Sequence, residues 1–241
     1  MTIKQIIVGA MLSTLIFVPQ TMSAQKQFTL EDLNFGGNNF HNMVPKNRYA
    51  TWWGDQLVRT DAEFCALVDK KTGKETRLFS TDELNKWIYP NGENKVRSLY
   101  SATFPYPNQT LVLLNVNQTR MLVNWKTKKV DWKQEAKAEI AADWNAQSRA
   151  VAFVKDDNLY VNDGKGVLKQ LSTDGSRNIV YGQSVHRDEF GIYKGTFWSN
   201  DGQKLAFYRM DQSMVADYPL VDVDTRIATE TPIRYPMAGE K

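Results

Sequence analysis

Trp198-Ser-Asn-Asp-Gly202 followed by Lys204-Leu-Ala-Phe-Tyr208 restates a theme already present upstream in the chain. Arg149-Ala-Val-Ala-Phe-Val154 is followed by the Asp156-Asp157 turn, then by Asn158-Leu-Tyr-Val161 and the Asn162-Asp163-Gly164 turn. Leu168-Lys-Gln-Leu171 and a Thr173-Asp-Gly175 turn come next, and fifty-four residues separate Ala152-Phe153 from Ala206-Phe207. Asp143-Trp144-Asn145 stands ahead of the first copy as Trp198-Ser199-Asn200 stands ahead of the second. Fainter copies lie further upstream: Ala66-Leu-Val-Asp69 with Thr72-Gly73-Lys74, and Met121-Leu-Val-Asn124 with Lys126-Thr127-Lys128. Apolar and aromatic runs of about 4–8 residues, bounded by Gly, Asn, Asp and Pro, read as strands.

A unit of aromatic turn, strand, turn, strand, charged hairpin and strand, returning every 40–55 residues or so, is the pattern of a propeller blade. One such sheet cannot bury both faces alone, and stacking neighbours radially covers them while leaving only short edges. The fold class expected is therefore all-β, a partial β-propeller. At about 45 residues per blade the 217 residues after Ala24 supply four to five blades, and the form expected is an open arc of about four and not a closed ring. A β-sandwich is the competing architecture, and the repeated Asp-Gly turn before an Ala-Phe strand argues against it. Helical signals are few. Thr29-Leu-Glu-Asp-Leu33 is a short candidate with Thr29 placed as its cap, Asp82–Trp87 is another, and Lys133–Ile140 carries mixed signals.

The first residues have a different character. Lys4 precedes an apolar stretch from Ile6 to Val18, Pro19 breaks it, and Met22-Ser23-Ala24 offers small residues for cleavage before Gln25. That order is a secretory signal peptide, and the apolar run is short of the roughly 20 residues a spanning helix needs. The expected organisation is residues 1–24 signal peptide, 25–40 lead-in segment and 41–241 incomplete propeller. The mature chain would then be exported to the periplasm or the extracellular side of the envelope, with no stable membrane span. Lys4 is the only charge lost, so a formal charge of +3 on the whole chain falls to a near balance that gives no strong field for nucleic acid. Cys65 is the single cysteine, so an internal disulfide is impossible; in Phe64-Cys-Ala-Leu-Val68 it reads as a small buried residue.

Two stretches suggest chemistry and fail on spacing. Gly182-Gln-Ser184-Val-His186 lacks the second glycine of a nucleophile elbow, because His186 occupies the place where the sharp turn leaves no room for a side chain. Catalysis by Ser184 is not expected, and no Ser/Asp/His triad is. The two histidines, His41 and His186, and the lone cysteine are at no ligand spacing, so neither a metal nor another cofactor is expected.

One region is more specific. Tyr181-Gly-Gln-Ser-Val-His-Arg-Asp-Glu-Phe-Gly-Ile192, then Lys194-Gly-Thr-Phe-Trp-Ser199, Leu205-Ala-Phe-Tyr-Arg-Met-Asp211 and Tyr235-Pro-Met-Ala-Gly239 resemble the dipeptidyl peptidase IV family. The likeness is greatest to its bacterial branch, which includes prolyl tripeptidyl peptidases. It is strong over roughly residues 140–241 and rests on layout over 28–135. The resemblance implies an eight-bladed propeller over an α/β-hydrolase domain, which this chain does not contain, in a serine peptidase that releases short N-terminal peptides ending in proline. It also implies a propeller segment that grips the substrate's free α-amino group with an acidic pair. By position the matching residues are Asp188 and Glu189. Animal members carry consecutive glutamates there, so in Arg187-Asp188-Glu189 only Glu189 matches in type, and Asp188 is shorter by one methylene. A family arginine also contacts a substrate carbonyl from an earlier blade; Arg120 lies in that region, but the local match is too poor to carry the role.

The residues themselves fit such a role. Ser184–Glu189 is a polar run between apolar strands, with Phe190 and Ile192 available to pin it to the core. A carboxylate facing an ammonium in a cavity gains a charge-assisted hydrogen bond that a blocked chain end cannot make. Read blandly, the same residues are a solvated hairpin with Arg187 and Asp188 pairing at the surface. The partners expected are a peptide with a free N-terminus and the hydrolase domain. The function of another class that blade repeats also fit is a non-enzymatic periplasmic propeller that binds a protein or ligand.

Overall fold

The computed structural model describes residues 27–37, 39–43, 49–92, 95–184 and 190–239. The signal-peptide stretch 1–24, the start of the lead-in, and His186, Asp188 and Glu189 lie outside the described residues. Two compact units are present, residues 1–47 and 48–241.

In the first unit, helix α1 (Leu30–Leu33) starts where Thr29 was expected to cap it. The Asp32 amide donates to Thr29 Oγ1 at 3.3 Å and the Thr29 amide donates to Asp32 Oδ2 at 3.0 Å, a reciprocal capping box. Helix α2 (Phe40–Met43) follows, and Phe35 and Phe40 meet edge-on.

The second unit is a succession of antiparallel sheets. Strands β1 (Tyr49–Trp53), β2 (Gln56–Thr60), β3 (Phe64–Val68) and β4 (Glu75–Ser80) form sheet one in chain order. Helix α3 (Thr81–Ile88) continues directly from β4, capped by Ser80 and Glu83, and extends the Asp82–Trp87 expectation by one residue at each end. Sheet two is β5 (Leu111–Val116), β6 (Thr119–Asn124) and β7 (Lys129–Glu135), with Thr103 bridging to Leu113 on the β5 side. Sheet three is β8 (Ile140–Trp144), β9 (Val151–Lys155), β10 (Asn158–Asn162) and β11 (Leu168–Gln170). Beyond it, β12 (Ile179–Tyr181) pairs with β15 (Arg209–Asp211), and β13 (Thr196–Trp198) pairs with β14 (Leu205–Phe207). Only Tyr208 separates β14 from β15, so one run of chain serves both pairs, called here sheet four. A last hairpin, β16 (Asp217–Asp222) and β17 (Thr229–Arg234), is exposed along nearly all its length.

Burial explains why these strands stack as blades. On β5, Val112 and Leu114 join Met121 and Val123 of β6 in a core with Val58, Cys65 and Phe79 of sheet one. The intervening Leu111 and Leu113, with Leu122, face the other way and pack with Trp132 and Trp144. Side chains alternate across a strand, so a strand buried at every position must be covered on both faces. Indole donors tie the layers together: Trp53 Nε1 donates to the Tyr106 carbonyl at 2.8 Å, Trp132 Nε1 to Gly164 at 2.8 Å and Trp198 Nε1 to Asp143 at 2.9 Å. These three indoles serve blade packing, while Trp52 is 60% exposed. The three hairpins that follow β3, β6 and β10 are built alike: Oδ1 of Asp69, Asn124 and Asp163 each accepts two backbone amides of its own turn. The architecture is an all-β partial propeller.

Cys65 is buried as expected, and burial, with the nearby Asp61 charge, pushes its thiol up to about 12. Since the thiolate is the reactive form, alkylation of the native chain at pH 8 is expected to run on the order of 10³-fold slower than in urea. Equal rates measured by mass spectrometry in native and denatured protein would contradict this burial.

Candidate functional site

The described residues on either side of 185–189 form a paired stem. Gln183 bridges to Lys194, the Ser184 amide donates to the Tyr193 carbonyl at 3.1 Å, and the Gly195 amide donates to the Gly182 carbonyl at 2.9 Å. Gly182 has φ of +61° and donates its amide to Tyr208, while the Tyr208 amide donates to Gly195, each at 2.9 Å. The stem is thus joined to the β14–β15 run. Gly195 is required here, because a Cβ would stand 2.5 Å from the Gln183 carbonyl oxygen and 2.6 Å from its carbon. Phe190 and Gly191 re-enter the described chain at φ of +54° and +67°, two successive left-handed residues that turn it sharply.

Phe190 and Ile192 do not pin this segment to the core. They are 84% and 50% exposed, and the neighbouring Tyr193 is 60% exposed. The anchor is polar and comes from sheet three. Asp143 of β8, buried beneath the stem, accepts Lys194 Nζ on Oδ1 at 2.9 Å and Thr196 Oγ1 on Oδ2 at 3.1 Å, besides the Trp198 indole on its carbonyl. Sequence reasoning saw Asp143 only as the lead residue of a repeated turn. Its partners lie more than fifty residues away, beyond any local pattern.

Ser184 is 6% exposed and its backbone amide donates to Tyr193 within the paired stem, whereas the serine of a nucleophile elbow stands exposed at its turn. Arg120 is likewise committed to structure. Its guanidinium donates to Glu139 Oε2 at 2.9 Å and to Gln134 Oε1 at 3.4 Å, with side-chain exposures of 8% and 5% for the ion pair. Among the described residues, no three His, Cys, Asp or Glu side chains are grouped to hold a metal, and no helix is long and apolar enough to cross a membrane. The site residues placed by resemblance, Asp188 and Glu189, fall between Ser184 and Phe190, outside the described chain.

The comparisons with known proteins agree on one family. The model of the dipeptidyl peptidase IV (DPP IV) N-terminal region matches residues 108–241, more than half of the chain. A Talaromyces marneffei protein described as dipeptidyl-aminopeptidase B is 32% identical over 171 residues, covering 58% of this chain and 19% of that protein. A Pyrenophora tritici-repentis protein of the same description is 26% identical over 248 residues, 91% of this chain and 26% of its own length. Among solved structures, a protein of Bacteroides ovatus described as a dipeptidyl aminopeptidase IV superposes with a TM-score of 0.69 at 38% identity, covering 89% of this chain and 30% of that one. Porphyromonas gingivalis dipeptidyl peptidase 4 shares the fold with a TM-score of 0.59 at 20% identity, over 90% of this chain and 32% of its own. The chain spans between about a fifth and a third of the length of these relatives. Blades, stem and match over 108–241 together make this chain a member of the dipeptidyl peptidase IV N-terminal region family.

Proposed function

We propose that this chain is the substrate-gripping propeller part of an exported serine exopeptidase that removes short peptides after proline. Glu189 anchors the substrate's free α-ammonium group, with Asp188 as a weaker second carboxylate. Residues 1–24 direct export. The nucleophile, base and acid come from an α/β-hydrolase domain to which the propeller is joined. The observation that carries this reading is the acidic pair between the two arms of a paired stem, inside the region that matches the family. Gln183 and Lys194 pair on either side of this polar segment in the chain, and a carboxylate within it would read a chain end by charge.

The test compares Gly-Pro-p-nitroanilide with its N-acetylated form. The full-length protein, propeller joined to hydrolase, should cleave the first and leave the second. The 1–241 chain alone should cleave neither. Turnover by the 1–241 chain that Ser184→Ala abolishes would overturn the assignment of chemistry to another domain. Equal cleavage of both substrates by the full-length protein would overturn the amine anchor.

A further inference from the structure

Sheets two and three are not packed alike along their joint. Leu111, Leu113 and Leu122 pack with Trp132 and Trp144, and Trp132 also lines a cleft of 940 Å³ that runs from β7 to β9 and the β10–β11 turn. Side chains alternate along a strand, so Gln134 shares with Trp132 the face of β7 turned to sheet three, and Lys155 shares a face of β9 with Phe153. Lys133 and Glu135 leave β7 on its opposite face. The hydrogen bonding of the lining is one-sided. Its side-chain acceptors are taken: Gln134 Oε1 and Glu139 Oε2 accept from Arg120 at 3.4 and 2.9 Å, and Asn162 Oδ1 accepts the Gly164 amide at 3.2 Å. The Gly164 carbonyl is held in turn by the Trp132 indole. The donors are not taken. Lys137, Lys155 and Lys165 line the cleft and have no ion-pair partner among the described residues. Gln134 is 8% exposed, and its Nε2 is buried there without an acceptor.

We propose that this cleft binds a polyanion carrying several phosphate or sulfate groups, held by the ammonium groups of Lys137, Lys155 and Lys165 and by Gln134 Nε2. Three cations without a counter-charge, beside an orphaned amide donor, call for a ligand made of acceptors. A peptide answers that demand less well, because its own N–H groups need acceptors that the lining has already committed. The volume is that of a small-molecule site, which spans about 300–1,000 Å³. Blade packing does not require the arrangement, since the joint between sheets one and two is closed by a larger apolar core. The proposal stands apart from the amine anchor, with which it shares no residue.

The experiment is titration calorimetry of the full-length protein at low salt, with inorganic tripolyphosphate and sucrose octasulfate as probes. At least one is expected to bind in the micromolar range, and the tighter of the two tells phosphate from sulfate. Lys155→Met should weaken that binding by about tenfold. Lys133→Met removes a charge of the same sign from the opposite face of β7 and should change it by less than about twofold. Gln134→Glu keeps an acceptor for Arg120 but replaces the free donor with a carboxylate, and should weaken binding by about tenfold or more. Equal losses for Lys155→Met and Lys133→Met would mean that the probes read general surface charge, and would overturn the proposal. So would failure of both probes to bind at about 1 mM, the weak end of measured affinity. A hexaglutamate peptide that binds more tightly than either probe would overturn the choice of ligand. If Gln134→Glu does not accumulate, the comparison of the two lysines decides alone.

Discussion

If the chain works as proposed, Glu189→Gln in the full-length protein is expected to lower kcat/KM on free-amine X-Pro substrates by about 30-fold to several thousandfold, with folding unchanged. On the proposed role of Glu189 as the amine anchor, the glutamine keeps the length of the side chain, removes its charge and leaves the substrate's ammonium without its counter-charge. Truncating one member of such a pair costs roughly 2–5 kcal/mol, and each 1.4 kcal/mol is a decade in the specificity constant. Asp188→Asn should cost less, because its carboxylate has one methylene less of reach. The control is Asp156→Asn. Asp156 lies exposed in the two-residue turn between β9 and β10, at φ of +48°, a conformation that asparagine adopts readily. If Glu189→Gln and Asp156→Asn gave equal kinetics, the segment would be an ordinary solvated hairpin.

The contrast between these two acidic residues shows what was legible in the sequence. Asp156-Asp157 could be read as a turn because apolar runs flank it at strand length, and those runs became β9 and β10. The same local logic gave the Thr29 cap and helix α3, since capping residues sit three positions from their partners. It left Lys133–Ile140 undecided. Lys, Gln, Glu and Ala favour helix, yet Lys129–Glu135 pairs with β6, whose neighbours on both faces are buried, and tertiary pairing overrode propensity. Phe190 and Ile192 were misjudged for a related reason. Apolar character states what a side chain could bury against, and here the backbone turns at Phe190 and Gly191 with the aromatic ring left exposed. The devices that lock the blades together were invisible in sequence: Trp53 to Tyr106, Trp132 to Gly164 and Lys194 to Asp143 span 53, 32 and 51 residues. Periodicity reports that a strand is covered, and it carries no information about which distant carbonyl or carboxylate does the covering.

The largest effect on stability should come from another such long-range pair. Glu139→Gln is expected to destabilise the chain by about 3–5 kcal/mol, the usual cost of breaking a buried ion pair from one side. Glu139 and Arg120 are 5% and 8% exposed, so the guanidinium left behind has neither its counter-charge nor water. Gln134, its other partner at 3.4 Å, is a neutral acceptor and cannot replace a carboxylate, and the Nε2 of that same residue already lacks an acceptor among the described residues. For a unit of this size each kcal/mol moves the melting temperature by roughly 2–4 °C, so the expected drop is on the order of 10 °C. Asp131→Asn serves as the comparison. It removes an ion pair with Arg149 of the same 2.9 Å length, but at 34% and 41% exposure, where about 0–1 kcal/mol is expected. The magnitudes also predict a rescue. Arg120→Met with Glu139→Leu removes both charges together and should regain most of the loss, because the penalty lies in the uncompensated charge and not in the absence of the pair. Thermal melts of the four proteins decide the matter. A Glu139→Gln chain that melts with Asp131→Asn would mean that water reaches Arg120, and that the joint between sheets two and three is not closed where β7 gives way to β8.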